Sequence, residues 1–250
     1  MRKRDVALAG GVILLFWQVT ALRLAWDALP PPTVVLRAFL TAAPSALGRH
    51  FLISTWRVVA SIALAVAGAL PLGLALGQTP RLNRLFSPFV YLVYPIPKIV
   101  FLPIVLLLLG IGDRSKIFII AFILFFQILV VVRDAASTLR PELIASVRSL
   151  GGGRRALFRY VYLPATLPAA LTALRISIGT AVAVLFFAES FATTSGLGYY
   201  IIIETWGRLA YPEMYAGVVA MSLLGLLLYF VVDGLERRLC PWLSTYPKNS

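Results

Sequence analysis

Ile117-Phe118-Ile119-Ile120-Ala121-Phe122-Ile123-Leu124-Phe125-Phe126-Gln127-Ile128-Leu129-Val130-Val131-Val132 runs for sixteen residues without a charge. A helix packed on a soluble core needs only one apolar stripe. This stretch is apolar all round, so its surroundings must be apolar on every side. At 1.5 Å per residue it covers about 25 Å, and its flanks from Lys116 onward supply the rest of the roughly 30 Å that a bilayer's hydrocarbon demands.

Similar runs fall at about 6–22, 55–77, 86–111, 116–132, 171–191 and 214–233, which predicts an all-α membrane protein with six transmembrane helices. Composition agrees: 60% of the 250 residues are hydrophobic and 13% charged, with mean hydropathy +0.89. Soluble domains lie nearer half and a quarter. Polar or proline-rich stretches separate the runs, at Leu29-Pro30-Pro31-Pro32, Gln78-Thr79-Pro80-Arg81 and 133–170. The chain reads as a single membrane domain, 1–250, without a soluble appendage.

The net charge of +13 would suggest nucleic acid in a soluble protein. In a membrane protein it reports instead which loops stay in the cytoplasm. With the N-terminus inside, fifteen Lys and Arg fall on inner segments and seven on outer ones, leaving Lys98 within a span. Both termini are therefore expected in the cytoplasm. Met1-Arg2-Lys3-Arg4 before an apolar run also fits a secretory signal. No small-x-small cleavage site follows Leu22, which favours an uncleaved first span.

Cys240 is the sole cysteine and His50 the sole histidine. Neither a disulfide framework nor a Cys or His metal site is expected, and no cofactor is implied. The four lysines follow Arg2, Pro97, Ser115 and Pro247. Without a Gly-Lys pair there is no phosphate-cradling Walker A loop, so any ATP-driven work needs a motor on another polypeptide. Ser195, in Thr193-Thr194-Ser195-Gly196, could serve as an intramembrane nucleophile only with a base. His50 is expected in the first external loop with no tie to it.

The segment 140–170 is the most informative. Pro141 suits the first turn of a helix and Glu142 its positive end. Leu143, Val147 and Leu150 recur at helical spacing, and Gly151-Gly152-Gly153 stop the helix. A second helical stretch, Arg154 to Tyr162, ends at Leu163-Pro164. Such a hairpin suits docking on a partner, or equally lying on lipid headgroups through its arginines.

Ala145-Ser146-Val147, three residues, Gly151, nine residues and Val161-x-Leu163-Pro164 resemble the EAA loop of the permease subunits of ABC importers. The pattern there is Glu-Ala-Ala, x3, Gly, x9, Ile-x-Leu-Pro. Leu29 to Pro32, Ser54-Thr55-Trp56-Arg57, Pro97 to Pro103, Gly110-Ile111-Gly112, Ser115 to Phe118, Leu163 to Pro168, Ala188-Glu189 and Gly196-Leu197-Gly198-Tyr199 extend the likeness over about 29–240. They point to the branch serving nitrate, taurine and aliphatic sulfonates. The family's leading Glu falls on Ala145. Glu142, three residues earlier on the same face, either stands in for it or leaves the contact apolar.

The resemblance implies a coupling hairpin seated on a cytoplasmic ATPase, a second permease chain (identical, or a different half in an importer for another solute such as a vitamin precursor) and an extracytoplasmic substrate-binding protein. It implies no catalysis by this chain. Closure of the motors would have to favour the outward-open state by several kcal/mol, about 5.5 for near-complete switching.

Lys98 sits in Tyr94-Pro95-Ile96-Pro97-Lys98-Ile99-Val100-Phe101-Leu102-Pro103. Pro95, Pro97 and Pro103 remove backbone donors and bend the helix. An ammonium group there either attracts an anionic solute along the pathway, or pairs with Glu189 or with water. Glu189 precedes the Ser195 to Gly198 turn; family likeness makes it gate-proximal, and a structural salt bridge is the other reading. Arg57 and Arg175, near span ends, are expected to snorkel. Gly73 and Gly77 permit close helix packing.

Overall fold

The computed structural model describes residues 3–191 and 193–243. Nine helices are labelled here: α1 (Lys3–Leu24), α2 (Pro32–Ala42), α3 (Ala46–Gln78), α4 (Pro80–Val93), α5 (Leu102–Leu109), α6 (Asp113–Ser137), α7 (Pro141–Ser149), α8 (Arg154–Ser190) and α9 (Tyr211–Leu239). No strand occurs among the described residues. Helices α3, α6, α8 and α9 are each long and apolar enough to cross a membrane. A fifth apolar stretch is a bent pair, a broken span or a re-entrant loop: α4 and the segment Lys98–Leu109 meet at 80°. The apolar part of α1, Leu8–Leu24, is shorter.

Proline sets several helix starts. Pro32, Pro80 and Pro141 each open a helix, where the missing N–H costs nothing and the fixed φ fits. Gly110, at φ 79°, closes α5.

Two expectations need correcting. α3 begins at Ala46, nine residues before the apolar run, so His50 lies in a helix and not in a loop. The second hairpin helix does not stop at Leu163-Pro164 but runs on as α8. A π turn over Phe158–Tyr162 carries it through, with the Leu163 N–H reaching the Phe158 carbonyl five residues back. The wider turn relieves the clash a proline ring makes with the carbonyl before it.

The chain divides into two compact units, Met1–Trp56 with Phe186–Leu224 and Arg57–Leu185 with Gly225–Ser250. In the second, α3 and α6 run parallel. Arg57 meets Asp113 at one end, and the Gln78 amide donates to the Ala136 carbonyl at the other. Between them a Cβ on Gly73 would lie 2.9 Å from Val132 Cβ, and one on Gly77 only 2.5 Å from Ala136 Cβ. Only glycine allows that approach. Arg175 on α8 pairs with Asp233 and Glu236 of α9. In the first unit, Trp17 of α1 and Tyr215 of α9 set their rings 5.7 Å apart.

Arg57 therefore does not snorkel. It is buried and gives two hydrogen bonds, 2.8 and 2.6 Å, to Asp113 at the start of α6. Arg175 is likewise held by acids, Asp233 and Glu236 of α9.

Candidate functional site

Three sites gather the residues of interest. The first is the bend between α4 and α5. Pro97 has no N–H for the Val93 carbonyl, and the chain leaves helical geometry through Tyr94 to Pro97. Lys98 takes up the freed acceptors: its Nζ donates to Val93 O at 3.1 Å, Tyr94 O at 2.9 Å and Ile96 O at 3.4 Å. A lysine so placed caps a helix C-terminus and answers its negative end. The ammonium also lies 4.9 Å from the Phe126 ring centroid and 5.5 Å from that of Tyr94, within cation–π range. Lys98 is buried, whereas Pro97 and Pro103 are exposed. Beside it opens a cavity of about 310 Å³, lined by Ile96, Ile123, Phe126, Gln127, Thr180 and Val184 among others.

The second site is a buried polar cluster. The segment Leu197–Thr205 is helical, and a helix start leaves its first N–H groups without backbone partners. Here side chains take three in succession. His50 Nδ1 accepts from Gly196 N–H at 2.9 Å, Ser54 Oγ from Leu197 N–H at 2.8 Å and Glu189 Oε2 from Gly198 N–H at 3.1 Å. Ser54 in turn donates to the Glu189 carboxylate. With Nδ1 accepting, the proton of a neutral His50 ring sits on Nε2, 3.3 Å from Glu204 Oε2. Gly196 stands at φ 110°, and a Cβ there would fall 2.2 Å from the Glu189 carboxyl carbon. His50 is thus tied to the 195–198 turn, contrary to expectation. Both its ring nitrogens are engaged, so it offers Ser195 no free base.

Glu189 is thereby a gathering point for donors, and His50 and Ser54 were missed as its companions. The available signal was their spacing: one helical turn apart, they face the same way.

The third site is the hairpin. No residue of α7 is buried. Glu142, Ala145 and Ser146 are exposed, Val147 half-buried, and Ser146 donates to the Glu142 carbonyl. Gly151, at φ 77°, and Gly152 send their N–H groups to Arg148 O and Val147 O, the paired bonds of a Schellman cap. Nothing lies within 4 Å of a Cβ built on Gly151, whereas Gly152 abuts Val147. Val161 is buried, Leu163 and Pro164 half-buried in the run-on of α8, and Leu150 is 87% exposed.

Long apolar helices, a bent pair with a buried lysine at the bend, and an exposed glycine-capped helix between α6 and α8 fit a membrane protein. Residues 69–245 match the family model of the binding-protein-dependent transport system inner membrane component, and the chain belongs to that family. It is similar to the taurine transport system permease protein of Escherichia coli (strain K12), 32% identical over 96% of this chain and 90% of that protein. To the putative aliphatic sulfonates transport permease protein of the same organism the identity is 29%, over 94% and 90%. Among solved structures it shares the fold of the inward-facing MetNI methionine ABC transporter, with TM-score 0.66 and 23% identity over 77% of this chain and 95% of that one. The chain is accordingly a multi-pass inner-membrane permease subunit of an ABC importer, in which ATP hydrolysis belongs to a separate subunit. Membership implies an ATPase and a substrate-binding protein as partners.

Proposed function

We propose that two copies of this chain, each acting as one six-span permease domain with both termini in the cytoplasm, form the pathway of an importer for a small organic anion of the sulfonate class. Identity with the taurine and aliphatic sulfonate permeases supports the solute class, as does a buried ammonium beside a cavity at mid-crossing. In this reading α7 and its Gly151 cap seat on the ATPase through Ala145, Ser146, Val147 and the apolar Leu150, with Val161, Leu163 and Pro164 carrying the hairpin's second arm into the long apolar part of α8. Glu142 supplies the carboxylate that Ala145 lacks. Lys98 draws the anion through the bend shaped by Pro97 and Pro103, and the Glu189 cluster holds the outer end shut.

The observation that carries the coupling role is the exposure of α7. A helix that buries no residue in its own chain, yet presents Leu143 and Leu150, calls for an apolar partner surface. Gly151→Glu tests it, because the added side chain meets open space and costs only left-handed strain of about 1–2 kcal/mol. The variant importer is expected to insert and assemble while transport and solute-stimulated ATP hydrolysis fall at least ten-fold. Hydrolysis at the normal rate would remove α7 from the interface.

A further inference from the structure

We infer that His50 makes the 196–198 turn proton-sensitive: the neutral ring holds the turn, and a proton bound at Nδ1 releases it. Three neighbouring N–H groups, those of Gly196, Leu197 and Gly198, are accepted in turn by His50 Nδ1, Ser54 Oγ and Glu189 Oε2. Of these acceptors only the imidazole loses its accepting lone pair on taking up one proton. A hydroxyl keeps its own, and a protonated carboxyl still carries a carbonyl oxygen. An imidazole also titrates ordinarily near about pH 6.5, within the range a cell meets. With a proton on Nδ1, two donors face each other across 2.9 Å. The ring is only 4% exposed, so the Gly196 N–H loses its acceptor without gaining water, a costly state. The charges around the ring pull the other way. Glu204 faces Nε2 at 3.3 Å and Glu189 lies across Ser54 in the same cluster, while Arg49, the residue before His50, is exposed. The rings of Tyr199 and Tyr200 stand 5.9 and 5.7 Å away. Burial and the Glu213 and Glu204 carboxylates push the Tyr200 hydroxyl up to about 12, so it stays neutral throughout. The carboxylates favour an imidazolium, whereas burial and the Gly196 N–H favour the neutral ring. Two arrangements follow: a neutral ring with the turn capped, and an imidazolium held by Glu204 with the turn freed. What His50 lends the turn is thus present at higher pH and lost as pH falls through the titration of the ring. The inference rests on the proposed role of the Glu189 cluster as the closed outer end only for its effect on transport, acid outside loosening that end.

His50 is the sole histidine of the chain, so permease labelled with isotopic histidine and assembled with unlabelled ATPase gives one imidazole signal. The test follows that signal by solid-state NMR in the complete permease–ATPase complex, from about pH 8 to about pH 5. Over the same range, hydrogen exchange measures the protection of the 196–198 amides relative to their intrinsic rates. Wild type is expected to pass from a neutral ring protonated at Nε2 to an imidazolium, while protection of the turn falls about ten-fold at the same midpoint. His50→Gln, whose amide oxygen accepts at every pH, should keep protection constant. Glu204→Gln removes the charge that draws the proton, so it should move the midpoint to lower pH and leave the turn protected at about pH 8. A ring that stays neutral to about pH 5, a ring that titrates while protection holds, or a fall in protection that survives His50→Gln overturns the inference. Should His50→Gln fail to assemble, Glu204→Gln decides alone, and an unmoved midpoint is then fatal. Release of the turn at a pH where uptake by the reconstituted importer is unchanged would uphold the inference and remove the cluster from the outer gate.

Discussion

Replacing Glu189 by alanine would take the acceptor from the Ser54 hydroxyl and the Gly198 N–H together, both buried. Each orphaned donor costs about 1–3 kcal/mol. The variant is therefore expected to melt well below wild type in a detergent thermal-shift assay. Glu189→Gln, which retains a carbonyl oxygen to accept, should lose less. Melting of the alanine form at the wild-type temperature would show that the cluster does not hold the turn. Lys98 presents a similar economy, because one ammonium caps α4 and faces a cavity. The sequence discloses the lysine and its prolines but not the carbonyls it binds, since those depend on how the chain turns at 94–97. Nor does it disclose His50 and Ser54. Polar residues before an apolar run look like loop until one knows that backbone N–H groups 146 and 143 residues away absorb their polarity.

At the scale of elements, charge-free length located most of the spans, because nothing but lipid accommodates a helix apolar on every side. It failed where local signals and packing disagree. Leu163-Pro164 reads as a stop, yet α8 continues past it on one π turn. The 86–111 run reads as a single span with a bend, yet the bend is 80°. Gly77 does allow close packing: a Cβ built there would fall 2.5 Å from Ala136 Cβ and from the Arg133 carbonyl. Gly77→Leu must push α3 from α6, and overpacking of this kind costs about 1–3 kcal/mol or more. We expect a lower melting temperature and reduced yield from the membrane. Gly10→Leu in α1, where a Cβ meets open space, is the matched control and should behave as wild type.

For the whole molecule, the charge bias predicts that 133–170 and both termini face the cytoplasm. Cysteine labelling decides it. Cys240 is buried just past α9, and burial holds its thiol above the usual range. The thiolate is the reactive form, so Cys240 should label slowly at neutral pH and faster as pH rises. In a Cys240→Ser background, Ser149→Cys at the exposed end of α7 should react with a membrane-impermeant maleimide only in inside-out vesicles. Labelling in intact cells would invert the topology.

The parallel pair α3 and α6 has a mechanical consequence. Pinned by Arg57–Asp113 at one end, by Gln78–Ala136 at the other and by glycine contacts between, the two helices act as a splint that resists sliding. The chain between them leaves helical geometry at Thr79, at 94–97 and at 110–112, and Lys98 fastens the middle break. Bending at 94–97 would therefore pull on Lys98, whose ammonium holds the Val93 and Tyr94 carbonyls.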